Sequence, residues 1–497
     1  MGEWDALREK MESFLAAEAD REVSEGGELL FDLRESHYRL EEAHGKLLLH
    51  LWSEERNWVR RVVGVAEETR ERLVLEVERF GRRPGRLAIA TPRRRATVDR
   101  ERAAARRKYV GLLRRLLQRE FPRARVEGLS AARDLKLSFS GLYTRARLRE
   151  GERWWAVLGV GAGEDSAAVD GILTYALVWL DWNRRRYPER VWAGLRLFLP
   201  VGHTQTTASR LAFLDRRRMR AELFAVDEAE FTCVRVDLRD WGNRETRMAP
   251  LGRAQAIRAA ESSAVERIRA LAPTEIETSV PAARDQLVLR IRGLEFARAA
   301  GGRVRFGVGR EEQELTPGSF SDLAGLVERL RRERTAGGTP ASPYYRLQAE
   351  SWLESAVLAA PRAVDARLER ERLYRQVFVA GGGERGVADL LGATRDGQLV
   401  VLELKASTDI HLPLQGLDYW MRVHWHQQRG ELAGAGYFPG VQLKAAPPEL
   451  LLVAPALQFH PTTEALVQFF APAVRVTLVG LNEDWRRELK VVRRQSR

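Results

Sequence analysis

The fold is decided by the segment GVADLLGATRDGQLVVLELKAS, which runs from Gly386 to Ser407. Its first part reads as a strand that contains Asp389, and the following Asp396-Gly397 pair is typical of a tight turn. The second part, Gln398 to Leu404, is an apolar strand that is interrupted by Glu403. The segment therefore predicts a β-hairpin with acidic residues near one end.

The spacing of the charged residues predicts one shared site. Residues two apart in a strand project from the same face, so Glu403 and Lys405 point together. Leu402 and Leu404 then point into the opposite layer, and the hairpin brings Asp389 alongside the charged pair. Two carboxylates and an ammonium at the end of a buried sheet are costly to desolvate unless they bind something. A divalent cation with a phosphate is the natural ligand.

This pattern resembles the signature of a known family. Asp389, thirteen further residues and then Glu403-Leu404-Lys405 look like the motif of the PD-(D/E)XK nucleases, which include restriction-endonuclease-like and RecB-type enzymes. The resemblance covers residues 340–480. Ala388 stands where the family usually has a proline, which leaves Asp389 less marked as the first acidic residue.

Two flanking elements extend the resemblance. The segment from Arg346 to Leu358 predicts a helix with Glu350 and Glu354 one turn apart, and in the family an acidic residue of this helix often completes the metal site. That role falls to Glu354, although an exposed helix carboxylate is the alternative. Gln415 and Tyr419 resemble the Q-x-x-x-Y element of RecB-type members, which implies that they position the scissile strand.

The resemblance also implies a cofactor and a mechanism. Asp389 and Glu403 would hold one or two Mg²⁺ or Mn²⁺ ions, and the carbonyl of Leu404 would be a further ligand. Such an ion polarises the phosphoryl group and lowers the pKa of a bound water. Lys405 would orient that water and stabilise the developing negative charge.

The chain contains an internal repeat. Three pairs of segments match in the same order: residues 73–90 with 287–309, residues 154–182 with 399–425, and residues 194–211 with 449–466. We therefore predict an α/β protein with two restriction-endonuclease-like modules, 73–250 and 284–497. A helical connector, 251–283, would join them, and a β-rich domain, 1–72, would precede them behind an amphipathic first helix.

The first module lacks the charged residues of the second. Gly159 aligns with Glu403 and Gly161 aligns with Lys405, so we interpret the first module as a degenerate copy. A rival interpretation treats these glycines as a dinucleotide-binding loop. Counted from Gly161, however, the sixth position of that loop is Ser166 instead of glycine.

A basic segment lies at the start of the first module. Residues 92–125 contain thirteen basic and three acidic residues, and their apolar positions recur at helical spacing. We expect a helix whose outer face contacts a nucleic-acid backbone through Arg106, Arg107, Arg114 and Arg115. The alternative is a merely solvated arginine-rich face.

Composition bounds the function classes. A chain of 497 residues with 44% hydrophobic and 30% charged residues predicts two or three globular domains. The net charge of +13 indicates a polyanionic partner, either nucleic acid or an acidic membrane surface. The single cysteine excludes an intrachain disulfide framework and indicates a reducing compartment.

Localisation follows from what the sequence lacks. The charged start has no apolar secretion signal, and the longest strongly apolar stretch, Gly171 to Leu180, is too short for a membrane helix. We expect a soluble, cytoplasmic protein with no membrane partner.

The predicted function is metal-dependent hydrolysis of DNA phosphodiester bonds. RNA is an alternative substrate, and a non-catalytic nucleic-acid-binding or scaffold protein is the competing class. The sequence has no GxxxxGK[ST] phosphate loop, so any helicase or ATPase would be a separate partner.

Overall fold

The computed structural model describes most of the chain. The described residues are 3–17, 21–25, 28–34, 36–43, 46–53, 57–79, 83–91, 93–132, 141–240, 246–248, 250–251, 262–281, 286–309, 312–340, 342–381 and 384–497. Residues 252–261 and 282–283 of the predicted connector lie outside these ranges.

The N-terminal residues form an antiparallel sheet with one helix against it. The elements are α1 (Glu3–Ala16), β1 (Glu22–Glu25), β2 (Glu28–Asp32), β3 (His37–Ala43), β4 (Lys46–Trp52), β5 (Asn57–Glu68), β6 (Arg72–Arg79) and β7 (Arg83–Ala90). The sheet order is β2-β1-β7-β6-β5-β4-β3. Met11, Phe14 and Leu15 of α1 are buried in its core, which confirms the predicted β-rich start behind an amphipathic helix.

An α/β region follows. It contains α2 (Arg93–Glu120), β8 (Arg125–Ser130), β9 (Thr144–Glu150), β10 (Arg153–Gly159), α3 (Ser166–Arg186), β11 (Val191–Pro200), α4 (Gln205–Leu211), β12 (Arg220–Asp227) and β13 (Thr232–Arg235). The sheet order is β13-β12-β11-β10-β9-β8, and β10, β11 and β12 are mutually parallel. Leu113, Leu116 and Leu117 of α2 are buried against this sheet, as the helical spacing predicts.

A second antiparallel sheet occupies the middle of the chain. Strand β14 (Thr246–Met248) precedes this region and belongs to the C-terminal sheet. The elements of the region are α5 (Ser263–Leu271), β15 (Ile276–Ser279), β16 (Leu287–Ile291), β17 (Leu294–Ala300), β18 (Arg303–Phe306), β19 (Gln313–Glu314), α6 (Phe320–Glu333) and α7 (Pro343–Arg346). Strands β15 to β19 pair in sequence order. The apolar side chains of α5 and α6 share one core with this sheet.

The C-terminal region is again α/β. Its elements are α8 (Ala349–Ala359), α9 (Pro361–Val364), β20 (Leu373–Gly381), β21 (Glu384–Ala393), β22 (Leu399–Leu404), α10 (Leu412–Gln428), α11 (Glu431–Gly434), β23 (Glu449–Pro455), α12 (Thr463–Val467), β24 (Arg475–Leu481) and β25 (Val491–Ser496). The sheet order is β14-β20-β21-β22-β23-β24-β25. Strands β22, β23 and β24 are parallel.

The two α/β regions share one topology. In each, an antiparallel hairpin leads into a central strand, a long helix crosses over, and two further strands lie parallel to the first. In each sheet an antiparallel strand, β13 or β25, lies at the edge beside the last parallel strand. The predicted mixed α/β class and the internal repeat are therefore confirmed. We call residues 93–235 the first repeat and residues 349–496 the second repeat.

The domain boundaries differ from those predicted. Strands β6 and β7 pair with β5 and β1, so the expected boundary at residue 72 falls inside the N-terminal sheet. The expected boundary at residue 284 likewise separates β15 from its partner β16. The matching segments 73–90 and 287–309 contain strands of the two antiparallel sheets, so in each half of the sequence such strands precede an α/β repeat.

The chain divides into two compact units, and each unit combines segments from both halves of the sequence. The first unit comprises residues 1–97, 252–356 and 486–488, which include both antiparallel sheets. The second unit comprises residues 98–251, 357–485 and 489–497, which include both α/β sheets. None of the described helices is long and apolar enough to cross a membrane.

The two repeats dock through a symmetric backbone contact within the second unit. The amide of Asp215 donates to the carbonyl of Phe469 at 2.8 Å, and the amide of Ala471 donates to the carbonyl of Phe213 at 2.8 Å. Phe213 and Phe469 occupy equivalent places after α4 and α12. The two bonds are therefore related by a local two-fold symmetry, which is the arrangement of a dimer built within one chain.

Candidate active site

The predicted hairpin forms and places the two acidic residues on one face. In the register of β21 and β22, Leu390 pairs with Leu402 and Leu391 pairs with Val401. One further step of this register sets Asp389 opposite Glu403. Directly opposed residues of antiparallel strands project from the same face, so this register puts both carboxylates on the same side of the sheet.

This face of the sheet is covered by α10. Glu403 pairs in parallel register with Leu452 of β23, and a Cβ atom built at Gly416 of α10 would lie 2.6 Å from Leu452 Cδ2. Only glycine allows the helix to approach the sheet so closely. The carboxylate of Glu403 is therefore enclosed between sheet and helix, and Glu403 is 3% exposed.

Asp389 is fixed by the end of the neighbouring strand. The backbone amide of Leu404 donates to Asp389 Oδ2 at 2.8 Å. The amide and carbonyl of one residue project to the same side of an extended strand, so the Leu404 carbonyl also faces Asp389. Beside Asp389 in the register of β20, Gln376 has a φ of 51°, a left-handed conformation that is costly for a residue with a side chain.

Lys405 lies beside the carboxylates. Its ammonium Nζ is 4.0 Å from Glu403 Oε1 and 3.6 Å from Asp409 Oδ2. The backbone amide of Lys405 donates to the Val453 carbonyl at 3.0 Å, which extends the β22–β23 pairing to the residue that carries the ammonium. The structure therefore brings Asp389, Glu403 and Lys405 together on one face.

Gln415 and Tyr419 lie one turn apart on α10, which covers this face. Burial raises the pKa of Tyr419, and the negative charges of Glu403 and Asp389 raise it further. The phenol therefore stays protonated and can donate a hydrogen bond. Gln415 Oε1 is buried and has no hydrogen-bond partner among the described residues, so this acceptor can still receive a hydrogen bond from a ligand.

Glu354 lies on α8 and is 4% exposed, so it is not the exposed carboxylate of the alternative interpretation. The part of α8 that contains Glu354 belongs to the first unit, whereas Asp389 and Glu403 belong to the second. The role of Glu354 as a further metal ligand stays a prediction.

Sequence reasoning missed a second set of residues at this edge. Asp409, which contacts Lys405, accepts a hydrogen bond from the amide of His411 at 2.7 Å through Oδ1. His411 Nδ1 lies 3.0 Å from Thr174 Oγ1 of the first repeat, and the ring meets that of Tyr175 edge-on. The spacing of four residues between Lys405 and Asp409 could have indicated that these two side chains meet. No sequence pattern indicates the contact of His411 with Thr174 and Tyr175.

The environment of His411 favours the neutral imidazole. Burial lowers the pKa of His411 most, Asp409 opposes this effect, and the positive charges of Arg210, His460 and Lys405 lower the pKa further. The side of the site next to Lys405 is therefore rich in basic groups, which suits an anionic ligand.

The first repeat cannot form the same site. In the register of β9 and β10, Thr144 pairs with Gly159, at the places of Asp389 and Glu403. A Cβ atom built at Gly159 would lie 2.6 Å from the hydroxyl oxygen of Tyr109, so this α2 side chain fills the space of the missing carboxylate. The Tyr109 hydroxyl donates to the Phe198 carbonyl at 3.3 Å.

The dinucleotide-loop interpretation is not supported by the contacts of these glycines. The amide of Ala162 donates to Glu228 Oε1 at 2.5 Å, so a carboxylate already takes a donor that a phosphate would need. At the start of α3, Asp165 accepts the amide of Ala168 at 2.7 Å. Two acidic side chains therefore occupy the positions of a bound anion.

The predicted basic face of α2 is formed only in part. Arg106 makes a two-point ion pair with Glu164, with distances of 2.6 and 2.9 Å, so it serves the first repeat internally. Arg107, Arg114 and Arg115 are exposed, and the Arg115 guanidinium lies 4.9 Å from the centre of the Phe231 ring. Three of the four predicted arginines therefore remain available to a ligand.

The donor set fits a divalent cation. Two carboxylates, the Leu404 carbonyl and water are oxygen ligands of the kind that Mg²⁺ prefers, and the Leu404 amide already orients Asp389. Among the described residues, no group of three or more His, Cys, Asp or Glu residues could hold a metal ion. A cation here would therefore depend on two carboxylates, a carbonyl and water.

Comparisons with known proteins do not assign the chain to a family. No protein-family model matches the chain, and no curated protein matches it. Among solved structures, the chain is similar to Can2 from Sulfobacillus thermosulfidooxidans in complex with cyclic tetra-adenylate, with 11% identity over 61% of this chain and 75% of that chain. The TM-score is 0.16, which is too low to carry an argument about fold or function.

Proposed function

We propose that the second repeat hydrolyses phosphodiester bonds of DNA in a reaction that requires Mg²⁺ or Mn²⁺. The observation that carries this proposal is the placement of Asp389, Glu403 and Lys405 on one face, at the end of adjacent strands. The Leu404 amide holds the Asp389 carboxylate at 2.8 Å, and Lys405 Nζ lies 4.0 Å from Glu403. This is the residue set of the PD-(D/E)XK resemblance.

The chain's own residues have distinct tasks in this mechanism. Asp389, Glu403 and the Leu404 carbonyl would hold the cation, and the chemistry it would supply there is polarisation of the phosphoryl group and a lower pKa for a bound water. Lys405 orients the attacking water and stabilises charge on the phosphate. The neutral Tyr419 hydroxyl offers a hydrogen-bond donor to the scissile strand, and Gln415, one turn away on α10, would help to position that strand.

The first repeat acts as a non-catalytic partner in this proposal. Its glycines replace the charged residues, and Tyr109 fills the equivalent space. The first repeat still contacts the region beside Lys405 and Asp409, because Thr174 Oγ1 lies 3.0 Å from His411 Nδ1. The chain would then be an internal dimer with one active and one inactive repeat. Residues of both repeats would surround the single active site.

One observation favours the non-catalytic alternative. The described residues contain no group of three or more metal-ligating side chains, so both repeats would be nucleic-acid-binding or scaffold elements. This alternative leaves unexplained why a lysine and two carboxylates occur together in the second repeat only. The two possibilities differ in whether Asp389 and Glu403 are needed for cleavage.

The test is a cleavage assay on end-labelled single-stranded DNA, duplex DNA and RNA, with Mg²⁺, Mn²⁺, Ca²⁺ or a chelator. We expect cleavage of DNA with Mg²⁺ or Mn²⁺ and none with Ca²⁺, because the looser Ca²⁺ shell positions water poorly. Asp389→Asn and Glu403→Gln should each abolish cleavage, whereas Glu189→Gln, at an exposed position of the first repeat, should not. Cleavage that survives both active-site changes would refute the proposal.

A further inference from the structure

Two runs of three arginines meet on the surface of the first repeat. Arg184, Arg185 and Arg186 form the last turn of α3, and Arg216, Arg217 and Arg218 follow α4. A side-chain hydrogen bond joins the runs, since Arg184 Nη2 donates to the Arg218 carbonyl at 2.6 Å. We define the arginine surface as the exposed members of this region: Arg185, Arg186, Arg216, Arg217, Arg218 and Arg220.

Little negative charge offsets this surface. Arg185 pairs with Asp181 at 2.8 Å, and Arg218 lies 3.8 Å from Asp215. Both arginines remain well exposed, at 71% and 48% of their side chains. Arg184 is partly buried and close to Arg218; burial lowers the pKa of Arg184 most, Asp181 opposes this effect, and Arg218 lowers the pKa further. The local field is thus strongly positive.

The second repeat provides an internal control for composition. The reciprocal bonds of Asp215 and Phe469 align residues 216–218 with 472–474, which read Pro-Ala-Val. Counted from the matched ends Trp182 and Trp425, the residues that correspond to Arg184–Arg186 are 427–429, which read Gln-Gln-Arg and so contain one arginine instead of three. Both repeats share the same arginine-rich background, so general composition does not explain why the charge is concentrated in one copy.

The arginine surface is remote from the site formed by Asp389, Glu403 and Lys405, which we call the carboxylate site. Thr174, which contacts His411 beside that site, lies ten residues before Arg184 on α3. At 1.5 Å per residue, the helix separates the two places by about 15 Å. Arg184 instead lies by the junction of the repeats, where its guanidinium is 5.7 Å from the Phe469 ring centre.

We propose that the arginine surface is a binding site for the sugar-phosphate backbone of nucleic acid, separate from the carboxylate site. Guanidinium groups are planar donors that match phosphate oxygens in two-point contacts. A row of exposed arginines suits a partner with regularly spaced charges better than one with a single anionic group. The proposal concerns binding alone and does not depend on hydrolysis.

The test measures binding without divalent cations, so that the proposed hydrolysis cannot affect it. A fluorescent 30-base-pair duplex and a 30-nucleotide single strand are titrated in EDTA across a salt series. The triple variant Arg186→Gln, Arg216→Gln and Arg217→Gln is compared with a matched control, Arg125→Gln, Arg153→Gln and Arg235→Gln. The control also removes three exposed positive charges from the first repeat.

The expected result is a loss of affinity of tenfold or more for the first variant, with a log-log salt slope smaller by about 2 to 3, since each lost phosphate contact removes about 0.9. The control should stay within threefold of the wild type. Equal loss of affinity in both variants, or unchanged affinity and slope in the first variant, would overturn the proposal. If circular dichroism shows that the triple variant is unfolded, the Arg216→Gln, Arg217→Gln double variant is read by the same criteria, with a slope change of about 2.

Discussion

Arg210 of the first repeat and Asp418 of the second form a two-point ion pair, with Nε to Oδ1 at 2.8 Å and Nη2 to Oδ2 at 2.6 Å. Both side chains are largely buried, at 8% and 12% exposed, and Arg210 also donates to the Asp170 carbonyl. The pair joins α4 to α10 beside the carboxylate site. It therefore couples the integrity of that site to the docking of the two repeats.

Removing one partner of this pair should destabilise the protein strongly. Asp418→Ala leaves the Arg210 charge buried without its counter-ion, a change that typically costs about 3–5 kcal/mol. The double variant Arg210→Met, Asp418→Leu should lose less, because no charge is left buried. Urea unfolding followed by circular dichroism checks this order. A double variant less stable than Asp418→Ala would contradict it.

Lys405→Ala should abolish cleavage while leaving DNA affinity within a few-fold of the wild type. Its ammonium stands by Glu403 and Asp409 and serves the reaction, whereas one positive charge among 82 adds little to backbone binding. Lys444→Ala, which removes an exposed lysine of the same repeat, is the control. Parallel loss of binding and cleavage would make Lys405 a binding or structural residue.

Asp409→Asn should lower kcat about 10- to 100-fold with little change in KM, because the ammonium of Lys405 loses a carboxylate partner at 3.6 Å and shifts. Asp409→Glu should recover part of the activity. Asp237→Asn is a matched control, since Asp237 accepts the amide of Arg239 two residues on at 2.8 Å, as Asp409 does from His411. Equal losses of activity in Asp237→Asn and Asp409→Asn would show a general effect of the turn.

Stability should fall as the pH drops below about 6.5. Burial lowers the pKa of His426, whose Nδ1 is 2.6 Å from Glu431 and whose Nε2 is buried without a partner in the described structure. The unfolded chain, with a histidine pKa of about 6.5, therefore binds protons at higher pH than the folded chain. The stabilisation is complete above that value and is lost as the pH falls.

The measurement is the melting temperature from pH 8 to pH 5 for the wild type, His426→Leu and the exposed control His203→Gln. His426→Leu should show a shallower decline below pH 6.5, and His203→Gln should follow the wild type. A decline in His426→Leu as steep as in the wild type would assign the pH dependence to other groups.

The parts of this fold that could be predicted from sequence depend on local pattern. Alternating apolar residues and the Asp396-Gly397 turn specify the hairpin, and its period of two puts Glu403 and Lys405 on one face. The repeats were visible because equivalent strands and helices need similar apolar patterns. None of these signals depends on contacts between distant segments.

The rest depends on contacts that separate parts of the chain make only after folding. The Arg210–Asp418 pair joins residues 208 positions apart, and nothing in either segment indicates its partner. The same holds for Tyr109, which fills the space at Gly159, and for Glu164, which forms an ion pair with Arg106. The boundary expected at residue 72 was wrong because strand pattern alone does not show which sheet a strand joins.

The most direct measurement of the central claim is the anomalous scattering of Mn²⁺ in crystals grown with the metal and a short DNA oligonucleotide. We expect one peak within about 2.5 Å of carboxylate oxygens of both Asp389 and Glu403, with a phosphate oxygen on the same ion and Lys405 Nζ facing that phosphate. The peak should be absent in crystals of Asp389→Asn. If the DNA is ordered at millimolar Mn²⁺ but no metal peak lies between Asp389 and Glu403, or if Mn²⁺ is bound only elsewhere, metal-dependent hydrolysis at this site is contradicted.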